Sequence, residues 1–127
     1  MALGNTLTVT LDGSGGTAKA LPLVNGPQNN RTDYMLDEGA KAYRANVRHA
    51  KDSVKSGELP MDRHTVTFSW ELDPDVNNPL GSKAEVSFII RCSPNAVPAD
   101  VIDLSEAMSF YMVKAGGIAA KLLGWES

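Results

Sequence analysis

Five cations crowd the stretch 41–55: Lys41, Arg44, Arg48, Lys51 and Lys55 stand against a single Asp52. The local charge is +4, which leaves −7 for the remainder of a chain whose total is −3. A cluster of this kind can neutralise phosphates. Strand-like alternation over 41–51 turns Tyr43, Ala45, Val47 and His49 to one side and Arg44, Asn46, Arg48 and Ala50 to the other. The polar sides of two later alternating segments add Arg63, Lys83 and Arg91 with Glu71 and Glu85, interleaved with hydroxyls at Thr65, Thr67, Ser69 and Ser87. That surface suits phosphate neutralisation together with hydrogen bonds to sugars and exposed bases. A solvated sheet face accounts for the same pattern, and no stacking aromatic lies on this side.

Other constellations lead to little chemistry. The two histidines, His49 and His64, fall on the apolar sides of their segments, where a hydrogen-bonded core or interface role is expected, and no nucleophile–base pair or paired-histidine metal motif can be assembled from them. The run from Gly13 to Lys19 lacks the Gly-Lys-Ser/Thr helix start of a phosphate loop, and a hairpin turn explains it. Asp73, Asp75, Asn77 and Asn78 offer oxygen ligands to a hard cation such as calcium at a subunit junction, but without the glycine and distal glutamate of an EF-hand; a polar loop tip explains them too. The lone Cys92 can form no disulfide within the chain and reads as a small buried hydrophobe. No cofactor and no enzymatic activity are expected.

The elements that must carry these residues read as strands first and helices last. Residues 6–11 alternate without a fault, 12–16 supply a turn, and 17–24 return as a second strand in which Pro22 predicts an edge. The segment 25–30 reads as a loop, 31–36 as a third strand and 41–51 as a fourth, with any short strand near Val54 ended by 56–60. Residues 63–72 alternate most clearly, with His64, Val66, Phe68, Trp70 and Leu72 on the dry side. After a long loop over 73–82 the period resumes through 83–92, with Ala84, Val86, Phe88, Ile90 and Cys92 dry. From Pro98 the spacing becomes helical through Val101, Leu104, Ser105, Met108, Tyr111, Met112 and Ala115, with Asp100, Asp103 and Glu106 expected toward the positive end of the dipole. Gly116-Gly117 interrupts this helix, and a short second one over 118–123 stops at Gly124.

Runs of strands followed by helices predict an α+β fold: an N-terminal β-hairpin, an antiparallel meander and two C-terminal helices. A chain of 127 residues, 43% apolar and 21% charged, makes one domain, spanning 1–127 with a hairpin over 1–24, the main sheet over 31–93 and helices over 98–124. No apolar run approaches the ~20 residues of a membrane span, and the first ten residues do not read as a secretory signal. One helix and a stub, each ~10–12 Å wide, cannot cover five or more strands spaced ~4.8 Å apart. The simplest repair is a second subunit whose helices lie across the sheet of the first, so that folding and dimerisation become one event.

The order of these elements, with the segments 3–11, 13–19, 44–49, 104–111 and 124–127, resembles the coat protein of single-stranded RNA bacteriophages, the levivirus type, and within it the Caulobacter RNA phage branch. The likeness runs along essentially the whole chain. It implies an obligate homodimer with interlocked helices, Val101, Leu104, Met108, Tyr111 and Met112 in the dimer interface, and a quasi-equivalent icosahedral shell. The loop with Asp73, Asp75, Asn77 and Asn78 is similar to the family's contact between dimers.

The resemblance also implies that the polar face binds single-stranded viral RNA inside the virion, and that binding of an RNA stem-loop can repress translation. The chain would be made in the bacterial host cytoplasm. Carried over residue by residue, the RNA contacts are Arg44, Asn46 and Arg48, then Arg63, Thr65 and Thr67, then Lys83, Glu85 and Ser87; Arg91 joins them by its charge. Glu85 stands where some relatives present a stacking Tyr, and Thr67 or Ser69 where others present Lys, which favours packaging without the bulged-adenine mode of recognition. A cellular dimeric RNA-binding regulator using the same face is the alternative; it has no need of a long Asp/Asn/Pro loop to meet copies of itself.

Overall fold

The computed structural model describes residues 6–11, 16–52, 55–114 and 118–125. The expected turn at 12–15, the segment at Val54, the Gly116-Gly117 break and both chain ends lie outside the described residues. The chain divides into two compact units, Met1–Arg91 and Cys92–Ser127.

In the first unit, β1 (Thr6–Thr10), β2 (Ala18–Gln28), β3 (Arg31–Asp37), β4 (Lys41–Lys51), β5 (Asp62–Leu72) and β6 (Ser82–Cys92) follow one another in a six-stranded sheet. Ladders β1–β2 through β4–β5 are antiparallel. Side-chain contacts continue the pattern into β6: Thr67 bonds Ser87, and four residues away in opposite directions Glu71 meets Lys83. The β2–β3 and β3–β4 connections are short and carry residues that tolerate positive φ, as at Asn29 and Asn30 (52° and 59°) between β2 and β3. Between β3 and β4 the Gly39 N–H donates to Asp37 Oδ1 at 2.9 Å.

Two expectations are corrected here. Pro22 does not mark an edge, because β2 lies between β1 and β3. Its missing N–H is tolerated where the two ladders exchange: Thr6 pairs with Pro22, and pairing with β3 begins at Leu23–Tyr34. Nor is 25–30 a loop. β2 runs on to Gln28, and register shifts after Leu23 and Asn25, with Gly26 at φ 98°, absorb the irregular residues as bulges.

The core is small and lies toward one end of the sheet. Leu21, Tyr34, Tyr43 and Ala45 are buried together, with Leu7, Val9, Leu11, Leu23, Leu36 and Trp70 packed against them. Along β5 and β6 the dry side opens: Val66, Phe88 and Ile90 are only half-buried, Phe68 is exposed and Val86 is 73% exposed. Cys92, expected to be buried, is a half-buried free thiol. The 73–81 loop ties itself together, since Asp75 Oδ1 accepts the N–H groups of Asn77 (2.8 Å) and Asn78 (2.7 Å), and Asn78 Nδ2 donates to Ser82 Oγ at 2.6 Å.

The second unit holds α1 (Pro98–Lys114) and α2 (Ile118–Leu123). Only Asp100 lies in the first turn of α1; Asp103 and Glu106 fall beyond the reach of the positive dipole end. Leu104, Met108, Tyr111 and Met112 are exposed and Val101 half-buried. At ~100° per residue, exposed Ile102, Phe110 and Val113 form a second apolar stripe on the opposite side, which the sequence reading missed. α2 ends at Leu123 as expected, yet the left-handed residue after it is Trp125 (φ 64°) rather than Gly124.

Candidate nucleic-acid interface

The registers fix which side chains share the polar face. Across it run Arg31–Arg48–Thr65, Asp33–Asn46–Thr67 and Met35–Arg44–Ser69, each row directly opposed from β3 through β4 to β5. The basic strand is therefore split by its own period. Arg44 and Arg48 lie on the polar face, whereas Lys41 packs over the rings of Tyr43 (5.3 Å) and Trp70 (4.4 Å) on the dry face, and Lys51 pairs with Asp62 at 3.1 Å on that side. The +4 counted along the sequence does not all belong to one surface.

Two shallow basins hollow this face. The larger, about 440 Å³, is lined by Arg31, Asp33, Arg44, Asn46, Arg48 and Ser69 among others. A second of about 310 Å³ adds Arg63, Thr65 and Ser87, and the two share Arg31, Arg48, Thr67 and Glu85. Arg31 and Arg48 oppose each other directly, an arrangement that costs a sheet stability unless an anion lies nearby. Asp33 supplies one such anion, taking the Arg31 Nε–H at 3.1 Å and an Asn46 Nδ2–H. Among the described residues Arg44 and Arg48 have no ion-pair partner, and both are exposed.

The remaining expected contacts differ in availability. Thr65 and Thr67 are half-buried, and the Thr67 hydroxyl shares a 2.9 Å hydrogen bond with Ser87. Arg63 and Arg91 converge on Asp52, at 3.3 Å and 2.7 Å, and Lys83 faces Glu71 at 3.9 Å, so three of the expected cations are engaged within the chain. Glu85 is exposed at the rim of both basins. Arg31 and Asp33 were missed by the sequence reading; the short β3–β4 connection, which sets the register, was the signal that could have found them.

Neither histidine is in the core. Both are exposed, and they bond each other across β4 and β5. Asp75 spends one carboxylate oxygen on its own loop, and among the described residues no group of three or more His, Cys, Asp or Glu side chains is placed to hold a metal.

Residues 4–93 match the family model described as phage phiCb5, coat protein. The chain belongs to that phage coat protein family. It is a capsid structural protein of a phage virion, which agrees with the family likeness drawn from the sequence and sets aside the cellular regulator. The matched segment takes in all six strands of the coat protein and ends before α1. Among solved structures, the virus-like particle of bacteriophage ESE001 is similar at 12% identity, with 77% of this chain and 88% of that chain covered and a TM-score of 0.42. No curated protein sequence matches the chain. No helix among the described residues of the coat protein is long and apolar enough to cross a membrane.

Proposed function

We propose that the coat protein forms an obligate homodimer, that dimers assemble into an icosahedral shell, and that the polar sheet face packages single-stranded RNA. The observation that carries the RNA reading is the exposed Arg44 and Arg48 flanking Asn46, neither with an ion-pair partner among the described residues, with Arg31 set directly against Arg48. Bringing a phosphate into that row relieves like-charge opposition and releases counterions. Thr65, Thr67 and Ser69 supply neighbouring hydroxyls for sugar and base edges. Arg63, Lys83 and Arg91 contribute more weakly, because each must first leave a carboxylate. Occupation of the face by an RNA stem-loop would repress translation of that message.

The dimer reading is supported by two surfaces that need covering: the open dry side of β5 and β6, and a helix apolar on opposite sides. On this reading 1–127 is one domain completed by its partner. Val101, Leu104, Met108, Tyr111 and Met112 make one side of the helix interface and Ile102, Phe110 and Val113 the other, while the 73–81 loop meets other dimers. Expression of the chain alone should give particles by negative stain, with nucleic-acid absorbance. Replacing Arg44 and Arg48 with Ala should lower packaged RNA and reduce the salt slope of RNA binding by about 1.4, at ~0.7 per lost phosphate contact. Dimers or monomers only, at every salt and concentration, would overturn the shell; an unchanged slope would overturn the RNA face.

A further inference from the structure

His49 and His64 are direct partners in the β4–β5 ladder, and their Nδ1 atoms lie 2.8 Å apart with the rings 5.0 Å between centroids and inclined at 66°. Both side chains are exposed. Their face is the one opposite Arg44 and Arg48, so the RNA contacts proposed above do not use them. It is continuous with the dry side that the proposed partner helices cover, and the site rests on the pair standing clear of those helices at this end of the ladder. On one side of the pair stands the Lys51–Asp62 ion pair at 3.1 Å and on the other Val47 against Val66. With Asp62 committed to Lys51, each imidazole's side-chain partner among the described residues is the other, and one donates while the other accepts.

Two imidazole nitrogens at this spacing match a metal's coordination sphere. A bond of about 2.0–2.1 Å from each nitrogen puts them about 2.9 Å apart at a right angle and about 3.3 Å apart at a tetrahedral angle. The observed spacing is that of a hydrogen bond and lies close to the right-angle value, so turning both exposed rings toward one ion needs little change in their separation. A right angle is the preference of tetragonal Cu2+ and Ni2+, and imidazole is a favourable ligand for both. We propose that His49 and His64 form a two-imidazole site for a late first-row divalent ion, Cu2+ foremost, with water completing the sphere. The bound ion replaces one weak hydrogen bond with two metal–nitrogen bonds and clamps β4 to β5 where their ladder ends.

The test is titration of the purified coat protein with CuCl2, read by electron paramagnetic resonance and calorimetry. One Cu2+ per chain with coupling to two equatorial nitrogens is expected, with Ni2+ weaker. Loss of even an outer-shell partner of a metal costs roughly 10–100-fold in affinity, so His49→Gln and His64→Gln should each weaken binding at least tenfold, and Lys51→Gln should not. Uptake and nitrogen coupling that survive the double His→Gln change, or no stoichiometric uptake by the parent, would overturn the site. A second measurement leaves the chain unaltered: Cu2+ should protect both imidazoles from acylation by diethyl pyrocarbonate, and equal acylation with and without Cu2+ counts against it.

Discussion

Arg91 donates through Nε to Asp52, 39 positions away in the chain, at 2.7 Å. The same carboxylate, only 14% exposed, also holds Arg63 at 3.3 Å. One acidic side chain therefore restrains two of the cations on the polar face. Asp52→Asn should release both, raising RNA affinity at low salt and steepening the salt slope by up to about 1.4. The same change should lower stability by about 1–2 kcal/mol in chemical denaturation, because the sheltered hydrogen bonds to charged donors are lost. An unaltered slope would show that these arginines lie outside the RNA footprint.

Leu21 is 0% exposed at the centre of the small core beside Tyr34 and Tyr43. Leu21→Ala should destabilise the chain by about 2–5 kcal/mol, read as a shift in the urea midpoint. Such a loss is large for a chain with so few buried side chains, and soluble, assembled Leu21→Ala protein with a wild-type midpoint would contradict the assignment of the core.

Gly81 and Gly39 separate two kinds of backbone demand. Both have positive φ, 73° and 89°, but a Cβ at Gly81 would meet the Leu72 carbonyl oxygen at 2.5 Å, whereas at Gly39 nothing lies within 4 Å. Gly39→Ala should cost about 1–2 kcal/mol, the left-handed penalty alone, and Gly81→Ala clearly more. Equal costs in denaturant titrations would mean that the β5–β6 connection relaxes freely.

Lys19 donates to Glu38 at 2.8 Å, and this hydrogen bond holds its ammonium pKa above the ordinary lysine value of 10.5. A raised value in the folded state means that the pair stabilises fully below that ordinary value and ceases to do so as pH climbs through the raised one. The thermal midpoints of the parent and Glu38→Gln should differ near neutrality and converge in strong alkali. A gap that persists there would assign the effect to packing instead.

Period two made most of the strand boundaries readable, and β4 runs over 41–51 as its alternation required. Charge counted along that strand was misleading, because Lys41 and Lys51 are an odd number of residues from Arg44 and Arg48 and so take the other face. Asp52 shows another limit: its partners depend on which strands become neighbours, which no local pattern encodes. Burial failed for the same reason. Phe68 and Val86 look like core in sequence yet are exposed in the single chain, and on the dimer reading proposed above a partner covers them. The site rows were half legible, with Arg44, Asn46 and Arg48 found from alternation and Arg31 and Asp33 found only through register.

The 73–81 loop carries two apolar side chains outward, Val76 at 96% and Leu80 at 95% exposure, on a backbone already fastened by Asp75 and Asn78. Most of the conformational freedom such a tip would lose on docking has been surrendered during folding of the subunit. On the reading proposed above, neighbouring dimers then need only modest apolar contact to hold together. Weak, reversible contacts between prefastened parts allow a growing shell to discard wrongly placed subunits before it closes.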